Sequence, residues 1–144
     1  MMIDATEGVT DQDAKIAGEA HEAGKGIIIV VNKWDEYEKD EHTIEIYKKQ
    51  VYDKLSYISY APILFISAKT GQRVNKLFEM INNVNEQNSL RISTSVINDV
   101  INEAIAVVQP PSDKGKRLRI YYGTQATTKP PTFVIFCNKK DLFH

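Results

Sequence analysis

The sequence of 144 residues contains one cysteine, Cys137, and no long apolar segment. A single cysteine excludes an internal disulfide and suits a reducing compartment, so we expect a cytoplasmic protein in which Cys137 is a small buried apolar residue. No apolar run approaches the roughly 20 residues needed to cross a bilayer, so no membrane partner is expected. The three histidines are scattered and have no cysteine neighbours, which gives a metal site no support.

The sequence also lacks the motifs that bind phosphate in nucleotide hydrolases. None of the seven glycines begins a Gly-x4-Gly-Lys-Ser/Thr loop, and no aspartate is followed three residues later by glycine. Because phosphoryl transfer depends on those parts, these residues alone are not expected to hydrolyse a nucleoside triphosphate. No Ser/His/Asp, Cys/His or paired-carboxylate arrangement indicates another type of enzyme.

Charge is unevenly distributed, although its net value is only −1. Residues 1–88 carry 10 basic and 15 acidic residues, a net charge of −5. Residues 89–110 have a net charge of −1, and residues 111–144 carry 7 basic and 2 acidic residues, a net charge of +5. An acidic N-terminal part and a basic C-terminal part favour two units with different partners.

Residues 1–88 alternate short apolar runs with helical patterns. The run "IIIVV" at 27–31 is β-branched without alternation, which is typical of a strand buried on both faces. "MMID" at 1–4 and "APILFIS" at 61–67 are predicted as two further strands. Helical stripes follow at Ile44, Tyr47, Val51, Leu55 and Ile58, and at Val74, Leu77, Phe78, Ile81 and Val84. This alternation predicts an α/β fold, a parallel sheet covered by helices.

The remaining residues predict a smaller α+β module. Polar "NNVNEQNSLR" loses its periodicity, so we place a boundary near Ser89 and divide the chain into 1–88 and 89–144. One helical stripe at 96–108 precedes the strands "RLRIYYGTQ" and "TFVIFC". Tyr121 and Tyr122 occupy adjacent strand positions, so at least one of them is expected in the core.

The residues that follow "IIIVV" suit the recognition of guanine. Guanine presents a ring N–H beside an amine, and the carboxylate of Asp35 can accept both hydrogen bonds in parallel. Asn32 can tie adjacent loops together near the base, while the stem of Lys33 lies over the purine face. Ligands of open α/β sheets bind outside the carboxyl ends of the strands, where Asn32 is placed.

A second polar turn follows the next apolar run. Ser67, Ala68 and Lys69 in "ISAKTG" would bring a backbone N–H to the guanine carbonyl oxygen. Each motif is weak alone, but their order and their places after successive strands support one base-binding site. "FVIFCNKKDLF" repeats the first pattern at Asn138, Lys139 and Asp141, but no second turn follows it, so we interpret this copy as coincidence.

Six segments together carry a resemblance to a known family. "MIDATEGVTDQD", "AGKGIIIVVNKWDEYEKD", "FISAKTGQ", "ISTSVINDVINEAI", "PPSDKGKRLRIYYGTQ" and "PPTFVIFCNKKDLFH" closely resemble the bacterial Der (EngA) GTPases. Those proteins have two tandem GTPase domains followed by a KH-like domain and act in assembly of the large ribosomal subunit. The resemblance makes residues 1–88 the C-terminal part of a P-loop-type GTPase domain and 89–144 a KH-like domain that is incomplete at its end.

The resemblance also implies a ligand and partners. Asn32, Lys33 and Asp35 become the nucleotide-specificity residues, and Ser67 to Lys69 the supporting loop. The ligand is GTP or GDP, with magnesium in the full-length parent. The expected partners are ribosomal RNA and proteins of the large subunit, together with the remainder of a longer parent chain.

The basic residues of the second unit leave two interpretations open. KH domains clamp RNA with a Gly-x-x-Gly loop, which is absent because no two glycines are three residues apart. RNA phosphate could instead be bound by Lys114, Lys116, Arg117, Arg119 and Lys129. A solvated strand face explains the same charges equally well. The rival to a nucleotide-binding protein is therefore a non-catalytic module that docks RNA or protein.

Overall fold

The computed structural model describes residues 1–38, 40, 42–113 and 115–142. Two compact units divide between Asn88 and Ser89. The first contains β1 (Met2–Asp4), α1 (Asp11–Glu22), β2 (Ile29–Asn32), α2 (Thr43–Lys54), β3 (Ile63–Phe65) and α3 (Val74–Ser89), of which the last residue falls just past the boundary. The second contains α4 (Thr94–Val107), β4 (Ser112–Asp113), β5 (Lys116–Arg117), β6 (Ile120–Thr127) and β7 (Thr132–Cys137).

The first unit is built on a parallel sheet in the order β1-β2-β3. Asp4 is paired with Asn32 in the register, and Val31 with Phe65. The three strands therefore end at one edge of the sheet, and the polar residues that follow them are neighbours. The predicted parallel sheet with flanking helices is confirmed.

The middle strand, β2, is covered on both faces. Ile29 and Val31 belong to the larger apolar cluster, which includes residues of α1 and α2, whereas Val30 packs with Leu64 and α3. Fully burying one such side chain stabilises the fold by about 1.5–3 kcal/mol. Burial on both faces explains the unbroken apolar run that was used to predict this strand.

Local hydrogen bonds and buried apolar positions define the first two helices of the first unit. Thr10 accepts a hydrogen bond from the N–H of Asp13 at 3.2 Å, and Asp13 accepts one from the N–H of Thr10 at 3.0 Å. This capping box starts α1. The predicted stripe at 44–58 is divided between α2 and a 3-10 turn at Ser56–Ile58, which still buries Ile58.

The stripe predicted for α3 is only partly buried. Leu77 and Met80 pack on the sheet, but Phe78 is 67% exposed and Ile81 is also exposed. The apolar cluster between α3 and the sheet does not include Phe78 or Ile81. α3 also continues through the polar residues 82–89, where periodicity had indicated a boundary region.

The second unit pairs β6 with β7 in antiparallel orientation. α4 begins at the N-cap Ser93 and packs beside Gly123, where an added Cβ would lie 2.6 Å from Cδ1 of Ile101. The side chain of Asn98 accepts a hydrogen bond from the Gly123 N–H at 2.9 Å and donates one to the Gly123 carbonyl at 3.0 Å. Close packing at Gly123 and the two hydrogen bonds of Asn98 therefore hold α4 against β6.

Two expectations about the core of the second unit are wrong. Tyr121 is 65% exposed and Tyr122 is 45% exposed, so neither is a core residue. The register shifts between Ile120 and Tyr122, which inserts Tyr121 as an extra residue and breaks the alternation of faces. Cys137 is half-buried rather than fully buried.

Candidate functional site

The predicted guanine-reading residues follow the carboxyl ends of β2 and β3. Asn32 is the last residue of β2, and Lys33 and Asp35 lie in the turn that follows it. Ser67, Ala68 and Lys69 lie just beyond β3. Because β2 and β3 are parallel neighbours, the two predicted loops share one edge of the sheet.

Two hydrogen bonds tie these loops together. The side-chain oxygen of Asn32 accepts a bond from the N–H of Ala68 at 2.9 Å. The backbone N–H of Trp34 donates to the carbonyl of Ile66 at 3.0 Å. The structure therefore gives Asn32 the loop-tying position that the sequence assigned to it.

Lys33 has an unusual backbone and an ionic partner. Its φ is 59°, a left-handed conformation that is uncommon for residues other than glycine and that often marks functional sites. Its Nζ lies 2.5 Å from Oδ2 of Asp4, at the end of β1. The side chain of Lys33 thus extends from the end of one strand to the end of the next.

The contacts of Asp4 and Lys33 shift the pKa values of both groups. The hydrogen bond from Lys33, with further bonds from the Thr6 hydroxyl and N–H, lowers the pKa of Asp4 to about 2. The same bond to Asp4 raises the pKa of Lys33, and the negative charges of Glu36 and Glu7 contribute in the same direction. The two groups are therefore an ion pair at neutral pH.

An aromatic cluster lies beneath the first loop. Trp34 is 2% exposed, and its ring centroid lies 4.4 Å from that of Phe65 and 5.2 Å from that of Tyr37. Tyr47 packs edge-on against Trp34 at 5.4 Å, and burial raises the pKa of Tyr47 to about 12. The residue between Lys33 and Asp35 is thus part of the core, which fixes the loop on which they stand.

The second loop is held by its own turn. Ser67 is buried, and its hydroxyl accepts a hydrogen bond from the N–H of Thr70 at 3.1 Å. Its N–H donates to the carbonyl of Gln72 at 3.1 Å. Lys69 is exposed and its Nζ lies 3.3 Å from Oε1 of Glu36, so a surface ion pair is a third link between the two loops.

An open crevice of about 500 Å³ lies near the first loop. It is lined by Thr6, Glu36, Tyr37, Glu38, Thr43, Ile46 and Tyr47. None of the six residues predicted to read guanine lines it, so base recognition is not assigned to this crevice.

The basic residues predicted to contact RNA are spread over the second unit. Lys114 lies outside the described residues, and Lys116 is described only as a backbone position in β5. Arg117, Arg119 and Lys129 are exposed, and Arg117 donates a hydrogen bond to Gln109. Lys129 lies in the turn between β6 and β7, whereas the two arginines lie at the other end of β6.

The second Asn-Lys-x-Asp copy has a structural use. The side chain of Asn138 accepts a bond from the N–H of Arg119 at 2.8 Å and donates to the carbonyl of Arg117 at 2.9 Å. Asn138 therefore ties the end of β7 to the segment before β6. No turn of the Ser-Ala-Lys type lies beside it among residues 115–142.

Two contributors to the first site were missed from the sequence. Asp4 pairs with Lys33, and Trp34 anchors the loop in the core. The signal for Asp4 was its place at the end of "MMID", since parallel neighbouring strands end at one edge. Trp34 gave no such signal, because the third position of the motif Asn-Lys-Trp-Asp lies among polar residues and would be expected to face solvent.

Metal-binding clusters and membrane-spanning helices are both absent from the described residues. No group of three or more His, Cys, Asp or Glu side chains could hold a metal ion among them. In the same part of the chain, no helix has the length and apolar character required to span a bilayer.

Comparison with known proteins agrees with this architecture. Residues 1–87 match the family described as the elongation factor Tu GTP binding domain, and residues 91–144 match the KH-domain-like family of EngA bacterial GTPase enzymes, C-terminal. Proteins called GTPase Der are similar over all 144 residues, with 62% identity in Agathobacter rectalis, 58% in Alkaliphilus oremlandii and 60% in Ruminiclostridium cellulolyticum. The chain spans 33% of the length of each of these relatives. The chain therefore belongs to the family of the elongation factor Tu GTP binding domain, and its resemblance to the Der GTPases is confirmed.

Proposed function

We propose that this chain supplies the guanine-reading part of a GTPase that acts in assembly of the large ribosomal subunit. The main support is the 2.9 Å hydrogen bond between the Asn32 side chain and the Ala68 N–H. It joins two loops whose sequences suit guanine, at the strand ends where ligands of parallel sheets bind.

Each residue has a distinct part in the proposed site. The Asp35 carboxylate accepts the ring N–H and the amine of guanine, which adenine cannot supply in that place. The stem of Lys33 covers the purine face. Because the Ala68 N–H already donates to Asn32, we assign the contact with the guanine carbonyl oxygen to the N–H of Lys69.

The phosphates and magnesium are assigned to residues outside this chain. Its sequence has no Gly-x4-Gly-Lys-Ser/Thr loop, and its proposed site offers contacts for a base only. A charge-assisted hydrogen bond contributes about 1.5–3 kcal/mol, and 1 mM affinity corresponds to about −4.1 kcal/mol. The 144 residues alone should therefore bind GTP or GDP at around millimolar affinity or more weakly, and should not hydrolyse GTP.

The second unit is proposed to meet ribosomal RNA in the cytoplasm. Its match to a KH-like family and the exposure of Arg117, Arg119 and Lys129 support this part of the proposal. Replacing all three by alanine should weaken binding of the full-length protein to large-subunit RNA and reduce the salt dependence of that binding. An unchanged salt slope would identify these residues as a solvated surface.

The base contact is tested by Asp35→Asn in the full-length natural polypeptide that contains these residues. An amide can donate to the additional oxygen of xanthine, so the variant should prefer xanthosine triphosphate to GTP, whereas the parent prefers GTP. Competition binding with both nucleotides measures the ratio, and Asp53→Asn, at an exposed carboxylate on α2, controls for lost charge. An unchanged ratio in Asp35→Asn would favour a non-catalytic docking module.

A further inference from the structure

We propose that Asp4 is a positioning residue for base binding, because it holds the Lys33 side chain across the mouth of the sheet. This inference rests on the proposed function, since it concerns the same guanine site. Asp4 belongs to neither loop of the predicted site, and it lies at the end of β1.

The strand register brings the two residues together. Asp4 is paired with Asn32, and Lys33 is the next residue along β2. The left-handed backbone of Lys33, with φ at 59°, accompanies a side chain that returns toward β1 and places Nζ 2.5 Å from Oδ2 of Asp4. One contact therefore restrains the far end of the lysine, while the backbone fixes its near end.

The Asp4 carboxylate is itself held in place. Its Oδ1 accepts the N–H of Thr6 at 2.9 Å and the Thr6 hydroxyl at 2.7 Å, which leaves Oδ2 for Lys33. A lysine side chain has four flexible carbon–carbon bonds and loses much rotamer freedom when it is ordered. Asp4 orders this stem before the nucleotide arrives, and a preorganised contact binds more tightly.

The position of this contact predicts which nucleotides respond. Lys33 would cover the face of the purine, whereas Asp35 would read its edge. Loss of Asp4 should therefore weaken binding of guanosine and inosine nucleotides by similar factors. The preference for GTP over xanthosine triphosphate, which depends on Asp35, should stay unchanged.

The test uses Asp4→Asn in the full-length natural polypeptide. Asparagine keeps the size of the side chain and its bonds to Thr6 but removes the charge that holds Lys33. We expect the Kd for GDP to rise about two- to fivefold, the range of a partly exposed ion pair. Asp53→Asn removes an exposed carboxylate of the same unit and should leave the Kd unchanged.

A double-mutant cycle separates positioning from a general structural role. Lys33→Met keeps an apolar stem but removes the ammonium, so Asp4→Asn should have no further effect on the Kd in that background. An equal effect of Asp4→Asn with and without Lys33→Met would overturn the proposal, as would an unchanged Kd in the single variant. If Asp35→Asn also leaves the base preference unchanged, the proposed function itself fails. If only the cycle fails, Asp4 has no positioning role.

Discussion

In residues 1–88 the central strand is covered on both faces, whereas in the second unit both long strands leave most of their apolar side chains exposed. Ile29, Val30 and Val31 are all buried, but every residue of β7 except the half-buried Cys137 is exposed. In the sequence, β2 and β7 each appear as an unbroken apolar run. An unbroken apolar run therefore predicts a strand but does not by itself predict that the strand is buried.

We expect the largest loss of stability in the first unit, whose central strand is buried on both faces. Trp34→Ala should destabilise the first unit by about 3–5 kcal/mol, because it removes a buried indole that contacts Phe65, Tyr37 and Tyr47. Hydrogen exchange of β2 amides in increasing denaturant measures this loss. Tyr122→Ala removes an exposed ring stacked on Phe136 and should cost about 0.5–1.5 kcal/mol. Equal losses in the two variants would contradict the difference between the units.

The stability of the second unit should depend most on the contact between α4 and β6. Asn98→Ala leaves the N–H and the carbonyl of Gly123 without their side-chain partner, which should cost about 1–3 kcal/mol. Urea unfolding followed by circular dichroism measures the change. Asn102→Ala, at an exposed position of the same helix, should be nearly neutral. Similar losses from both replacements would mean that Asn98 does not anchor α4.

A smaller loss of stability is expected from changes at the helix N-caps, one in each unit. Thr10→Ala removes a reciprocal capping box and should cost about 1 kcal/mol. Ser93→Ala removes a longer bond of 3.4 Å to the Val96 N–H, without a reciprocal partner, and should cost less. Thermal unfolding of each variant gives the order, and a larger loss from Ser93→Ala would reverse it.

The smallest effect is a pH dependence confined to the first unit. The pKa of Asp4 is about 2 in the fold and about 4 in an unfolded chain, so its ion pair stabilises the fold above pH 4 and loses that effect as pH falls toward 2. The stability difference between the parent and Asp4→Asn should be constant near neutral pH and should close in acid. Denaturant midpoints across this range measure it. A difference that persists at pH 2 would show that the charge of Asp4 is not its cause.

Local patterns in the sequence predicted the strands and helices better than they predicted which side chains are buried. The signal of the β-branched run at 27–31 depends only on neighbouring residues and on backbone geometry, and the strand that it predicted is confirmed. The exposure of Phe78 was not predictable in this way, because it depends on how much sheet lies beneath α3. Tyr121 failed for a related reason, since an inserted residue in a strand has no clear signature in one sequence.

In the candidate site, too, short motifs were predictable from the sequence, whereas a contact between different strands was not. The two loops followed from short motifs placed after apolar runs, and the pairing of Asn32 with Ala68 agrees with their proposed proximity. The contact between Asp4 and Lys33 spans β1 and β2, so it required the sheet order and register rather than a spacing. Contacts that join different strands are therefore the ones that a sequence pattern most easily misses.

Trp34 is the only tryptophan in the chain, and its indole is sealed under the proposed base-reading loop. Its emission should therefore be blue-shifted and poorly quenched by iodide in this conformation of the loop. Rearrangement of the loop would redden the spectrum and admit the quencher. The chain thus carries its own optical probe at the place where a nucleotide is proposed to arrive, and no added label would be needed to follow it.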